Sequence, residues 1–168
     1  MLKKKNRILS IHPKKRSKDI FIVNLDNGTA FEISTSILIS ESIKEGEEID
    51  ASNLDNLLSK QEYHNIKNAG LTLLRYRMRS KKELYEKLLA KNYDSKKIKL
   101  VLIDFEKNGI INDEEFGLAF SKDQINQNSL GPIALKYKLK KYISSDDMVS
   151  KILLTFITYP IAVSYTHL

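Results

Sequence analysis

Apolar and polar residues alternate in short runs along the first third of the chain, and from Asn53 onward the spacing becomes that of helices. Arg7–His12, Asp19–Leu25 and Thr29–Ile33 have the composition of strands, and Asp26-Asn27-Gly28 predicts a tight hairpin turn in which Asn-Gly supplies the positive φ angles. Ser34–Ser42 reads as a short helix and Lys44-Glu45-Gly46-Glu47 as a turn. Residues 1–50 are therefore expected to form a small antiparallel sheet. Three strands are too few to fold alone, so this leader should pack on the helices that follow.

The helical pattern opens near Ala51 with a long helix that carries Ile66, Ala69, Leu73 and Leu74 toward the core and ends in Arg75-Tyr76-Arg77-Met78-Arg79. Ser80, with Glu83 three residues later, predicts a capping box at the start of the next helix, where Leu84 and Leu88 lie one turn apart. Asp94 should cap a third, whose Ile98, Val101, Leu102 and Phe105 fall at i, i+3, i+4 and i+7; Gly109 closes it. The pattern then restarts. Asn112 caps a helix with Phe116, Ala119 and Phe120. Gly131-Pro132 opens one with Leu135, Leu139 and Tyr142, and Ser144 caps one with Met148 and Ile152.

These two stretches read as copies of one unit, Leu84 aligning with Leu135 and Leu88 with Leu139. One residue is then lost, so that Ile98 meets Met148 and Leu102 meets Ile152. The expected fold is mainly α with a small N-terminal antiparallel β-sheet and tandem three-helix repeats like winged-helix or helix-turn-helix units. Its divisions are residues 1–50, 51–110, 111–153 and a tail, 154–168. That tail has no charged residue and lacks the caps of what precedes it. It reads as non-native sequence from adapter or out-of-frame DNA, which would cut the chain off inside a longer gene. Repeats bury their apolar faces on one another and present a long surface to a partner, which argues against a single-site enzyme.

Charge sharpens the picture. The chain of 168 residues carries a net charge of +7, and residues 61–100 hold eleven Lys or Arg against four Asp or Glu, leaving seventeen of each elsewhere. A surplus confined to the first repeat and the helix leading into it attracts polyanions by counterion release, or an acidic protein groove by steering. On a continuous helix Arg75 and Arg79 share a face and Arg77 points away, but Ser80 predicts that the helix ends there. Lys82 and Lys87 lie on the next helix, and Lys136 and Lys140 lie one turn apart in the second unit.

Catalytic patterns do not emerge. The chain has no cysteine, and His12, His64 and His167 have no second ligand at i+3 or i+4. The six glycines are scattered, with no phosphate loop or nucleophile elbow, so no cofactor and no metal are expected. Asp113-Glu114-Glu115 sits in the first turn of a helix, where the macrodipole accounts for it. Lys14, Lys15 and Arg16 interrupt the N-terminus before a signal peptide can form, and the reading is cytoplasmic, with no membrane contact.

Arg77-Met78-Arg79-Ser80, Glu83-Leu84, Lys87-Leu88, Gly109-Ile110-Ile111-Asn112-Asp113 with Phe116, and Gly131-Pro132 through Leu139-Lys140-Lys141 resemble the RecX regulatory proteins, bacterial modulators of the RecA recombinase. The resemblance covers roughly residues 5–152. It implies a non-enzymatic protein that lies in the groove of the RecA filament on single-stranded DNA and inhibits ATP hydrolysis and strand exchange. The chain offers no obvious dimer seam, so a monomer is expected, with at most weak contact to duplex DNA. By the same resemblance Arg75, Arg77, Arg79, Lys82 and Lys87 are contacts, with Lys122, Lys136 and Lys140 next. The chain departs from the family at Asn92 and Tyr142, where glycine is usual. Asn tolerates a left-handed conformation but Tyr does so poorly, so the second loop should differ. A further repeat expected after residue 153 is missing. The alternative function is a stand-alone helix-turn-helix DNA-binding protein, such as a small transcription regulator, which would prefer a duplex sequence and usually dimerise.

Overall fold

A computed structural model describes residues 5–158. Four strands form one antiparallel sheet in the order β3-β2-β1-β4: β1 (Lys5–Pro13), β2 (Ile20–Leu25), β3 (Ala30–Ser34) and β4 (Glu48–Asp50). Between β3 and β4 lies the short helix α1 (Thr35–Ser40). The fourth strand escapes sequence reading because Ile49 is its one apolar residue, flanked by two acids, which is too short for a period; it pairs Lys5, Asn6 and Arg7 of β1. The β2–β3 turn also differs from expectation. Leu25 N–H donates to the Thr29 carbonyl, and only Gly28 has a positive φ, 81°. Asn27 instead accepts hydrogen bonds at its Oδ1 from the Thr29 N–H and hydroxyl, so the three-residue loop needs one left-handed residue rather than two.

The chain divides into two compact units, one ending at Asn65 and the other beginning at Ile66. In the first, Ile8, Val23, Leu25, Ile33, Ile37 and Ile49 form the core together with Leu57 of α2 (Ala51–Tyr76). The sheet therefore closes on the start of that helix, and the division drawn at residue 50 from the sequence falls inside this core. Gln61 of α2 fixes the junction by accepting the Ser34 N–H at 2.7 Å.

The second unit contains the end of α2, then α3 (Lys81–Leu89), α4 (Ser95–Lys107), α5 (Asp113–Asn128), α6 (Pro132–Tyr142) and α7 (Asp146–Thr158). Ile66, Leu84, Leu88, Ile98, Val101, Leu102 and Phe105 are buried in the first repeat. Phe116, Leu135, Leu139, Ile143, Val149, Ile152 and Leu153 form the core of the second. Burial of each such side chain stabilises by about 1.5–3 kcal/mol relative to exposure.

The repeat is more regular than the sequence alignment suggested. The N-caps Ser80 and Gly131 are 51 residues apart, and so are the caps Asp94 and Ser145. Helices α4 and α7 begin 51 residues apart and have 13 residues each. Adding 51 to Ile98, Val101, Leu102 and Phe105 gives Val149, Ile152, Leu153 and Phe156, which occupy the core or pack against it. No residue is lost in the second copy. Ser145, not Ser144, caps α7, accepting the Met148 N–H at its Oγ.

What differs is where helix gives way to loop. In the first copy α3 ends at Leu89 and Asn92 takes the left-handed conformation at φ 63°. The equivalent of Asn92 is Ile143, a buried β-branched residue that stays extended at φ −115°. Helix α6 is accordingly two residues longer, its loop is shorter, and Tyr142 remains helical, its ring tilted against those of Phe116 and Phe120. Helix α7 runs through residue 153 to Thr158, and Phe156 packs on the core. The rest of the tail read as non-native lies outside the described residues.

Gly70 of α2 shows how tight the first repeat is. A Cβ built there would stand 2.7 Å from the Phe105 ring, itself fully buried. Gly70→Ala should destabilise the protein by about 1–2 kcal/mol in urea unfolding, because overpacking outweighs the roughly 1 kcal/mol gain in helix propensity. Equal or higher stability would show that the ring has room to move.

Candidate interaction surface

The site is built at the corner where α2 gives way to α3. Helix α2 stops at Tyr76, so Arg77, Met78 and Arg79 are non-helical and the helical-face argument for the three arginines does not hold. Ser80 accepts the Glu83 N–H at 3.1 Å, as the capping pattern predicts. The Glu83 carboxylate does not complete the box. Its Oε1 accepts from both Arg77 and Arg79, while Oε2 is buried without a partner.

The three arginines therefore have three different positions. Arg79 is 9% exposed, and besides pairing with Glu83 it donates from Nε to the Leu73 carbonyl at 3.2 Å, tying down the last turn of α2. Its guanidinium, placed among the expected contacts from the sequence, is buried against the fold. Arg77 is exposed on one side and shares Glu83. Arg75 is exposed on the last turn of α2 and makes no ion pair among the described residues.

On α3, Lys82 is half-buried and Lys87 exposed, and neither forms an ion pair among the described residues. Lys81 instead pairs with Glu106 at 2.7 Å. In the second repeat Lys122 and Lys136 are exposed without an ion pair among the described residues, while Lys140 meets Asp146 at 2.9 Å. That contact holds the Asp146 carboxyl below its ordinary range, through the hydrogen bond first and the Lys140 charge second. Both groups are exposed enough that the pair adds little to stability and leaves Lys140 available.

Exposed apolar residues accompany these cations, and the sequence did not single them out. Ile133 and Tyr137, one turn apart on α6, are 77% and 71% exposed beside Lys136 and Lys140. An amphipathic seam of Leu135 and Leu139 is visible in the sequence, but which of the remaining residues faces solvent depends on how α6 docks. Between the repeats lies an open cleft of about 560 Å³, lined by Leu102, Ile103 and Met148 and by Lys81, Lys82 and Lys99. Among the described residues no group of three or more His, Cys, Asp or Glu side chains is arranged to hold a metal, and no helix is long and apolar enough to cross a membrane.

Asp113 connects the two repeats. From the first turn of α5 its Oδ1 accepts the Lys81 N–H at 2.7 Å, satisfying an orphan donor at the start of α3. Burial is the main cause that raises its pKa, opposed by that hydrogen bond. The fold therefore binds this proton more tightly than the unfolded chain, and the resulting stabilisation is full below 3.8 and lost as pH rises through the folded value. Asp113→Asn keeps an acceptor and sheds the buried charge, so its stability at pH 7 should match or exceed wild type. Asp113→Ala should lose about 1 kcal/mol. Equal losses in the two variants, by thermal unfolding, would show that the hydrogen bond to Lys81 is not what Asp113 supplies.

A family model described as "RecX, first three-helix domain" matches residues 67–103, the stretch that holds this corner. Regulatory protein RecX of Bacillus cereus (strain B4264) is 31% identical over 136 residues, which are 79% of this chain and 50% of that protein. Regulatory protein RecX of Clostridium acetobutylicum is 25% identical over 146 residues, 87% of this chain and 67% of that protein. The chain thus spans about half the length of the Bacillus relatives it matches. Among solved structures, one titled "Crystal structure of regulatory protein RecX" shares its fold at a TM-score of 0.72 and 21% identity, covering 90% of this chain and 74% of that one. RecX from Lactobacillus salivarius follows at 0.54 and 23%, covering 56% and 62%. A matched three-helix domain, relatives aligned over most of the chain and a shared fold together make this chain similar to the RecX regulatory proteins.

Proposed function

We propose that the chain is a non-catalytic regulator of homologous recombination that lies in the groove of a RecA filament on single-stranded DNA and inhibits its ATP hydrolysis and strand exchange. The observation that carries the reading is the corner of the first repeat. The match to the RecX three-helix domain falls there, and there Arg75, Lys82 and Lys87 stand without an ion pair among the described residues while Arg79 holds the fold. Two helical units 51 residues apart suit a repetitive partner, and cations spread over both units suit acidic protein surfaces and DNA phosphates together. In this reading Arg75, Lys82 and Lys87 make the first contacts, Arg77 shares itself between Glu83 and the partner, and Lys122, Lys136 and Lys140 extend the surface along the second repeat. The protein works as a monomer in the cytoplasm.

The test is the ATPase rate of RecA on single-stranded DNA as this chain is titrated in. Wild type should lower the rate. A variant with Arg75, Lys82 and Lys87 changed to alanine should need on the order of tenfold more protein, the equivalent of about 1.4 kcal/mol spread over three charges. No change in rate at any ratio of wild type contradicts the proposal. Sequence-specific binding to duplex DNA by a dimer would favour the transcription-regulator alternative instead.

A further inference from the structure

The strands β1 and β2 are joined by Lys14-Lys15-Arg16-Ser17-Lys18-Asp19. Three backbone hydrogen bonds tie this turn down: Lys14 N–H to the Ile20 carbonyl at 2.8 Å, Ser17 N–H to the Lys14 carbonyl at 3.1 Å, and Thr35 N–H to the Asp19 carbonyl at 2.9 Å. Four of the six side chains are cationic. Lys14 pairs with Glu32 at 2.6 Å, but Lys15, Arg16 and Lys18 are exposed and form no ion pair among the described residues.

Charge is segregated along the sheet. Asp50 and Glu48 face Lys5 and Arg7 at the start of β1, Asp26 donates its N–H to the Arg7 carbonyl at that end, and Glu45 accepts the Ile11 N–H part of the way along. The turn lies at the far end. From Arg7 to Pro13 the strand advances about 20 Å at ~3.4 Å per residue, well beyond the ~8 Å over which physiological salt screens charge. Asp19, Glu32 and Glu45, the last held at Ile11 about 7 Å back along the strand, are the acids that remain near the turn.

Arg16 adds a second kind of observation. Its φ is 66°, a left-handed conformation that glycine or asparagine adopts at less cost. A long cation in that position, on an exposed turn, exchanges local comfort for a charge at the tip.

We propose that the β1–β2 turn is a phosphate-binding site separate from the helical surface, with Lys15, Arg16 and Lys18 gripping the sugar-phosphate backbone of nucleic acid without reading its sequence. The planar guanidinium suits two phosphate oxygens at once, and the lysines act as point charges. No aromatic residue lies between Lys14 and Asp19 to stack on a base, so contact should be indifferent to sequence. This site does not depend on whether the chain acts on RecA.

The test measures binding of the full chain to a fluorescent single strand and to a duplex of equal length across a salt series, with RecA absent. Changing Lys15, Arg16 and Lys18 together to alanine should weaken binding at least tenfold. It should also lower the slope of log K against log salt by about 2 for the single strand or about 2.7 for the duplex, as expected when three phosphate contacts are lost. Whichever substrate loses more identifies the backbone held. Arg16→Gly should weaken binding without lowering Tm, since glycine accepts the left-handed angle, which separates lost contact from lost folding. Unchanged affinity and slope on both substrates would overturn the proposal. So would weakened RecA inhibition with unchanged binding to nucleic acid, because the turn would then be meeting an acidic protein surface.

Discussion

Glu83 is the residue on which the first repeat turns. A carboxylate with a side chain 10% exposed requires compensating charge, and Arg77 and Arg79 supply it from the segment just before α3. Arg79 is buried in its own right and reaches back to the Leu73 carbonyl, so one ion pair joins the last turn of α2 to the first turn of α3. With Ser80 capping α3 and Asp113 receiving the Lys81 N–H, the entry of α3 is fixed, and with it the inward direction of Leu84 and Leu88. Burying such a pair adds little net stability compared with an apolar contact, but removing one partner leaves the other charged and dry.

The second repeat reaches the same architecture without this device. Its residues 51 positions on from Arg79 and Glu83 are Leu130 and Ala134, both uncharged. Three-helix geometry is therefore set by the apolar residues common to the two copies, with Leu84, Leu88 and Leu102 answered by Leu135, Leu139 and Leu153. The ion pair is particular to the first copy. Its consequence for function is a sorting of cations, in which Arg79 is withdrawn into the fold while Arg75, Lys82 and Lys87 are left on the surface.

The parts of this structure legible in the sequence are those with a local signal. Ser80, Asp94 and Asn112 accept backbone N–H groups as their positions predict, and the stripe from Ile98 to Phe105 is buried throughout. The parts that were not legible depend on contacts between distant residues. Arg79 stands outside any helical period, between exposed Met78 and buried Ser80, so nothing nearby indicates that it will be buried. Asp113 looks like an ordinary first-turn acid until α3 supplies its donor, 32 residues away. Alignment by residue type matched Met148 with Ile98, whereas burial matches Val149, because a thioether and a branched side chain exchange roles at a repeat boundary more readily than the geometry shifts.

Functionally, the division between arginine that folds and cations that bind is the central claim. A double-mutant cycle on Arg79 and Glu83, with stability read from urea unfolding of Arg79→Ala, Glu83→Ala and the double variant, tests it most directly. The account predicts that either single change costs about 3 kcal/mol and that the double variant is no worse than either alone, giving a coupling of about 3 kcal/mol. Additive losses with coupling near zero would contradict it, because Glu83 would then not be what holds Arg79 in the fold.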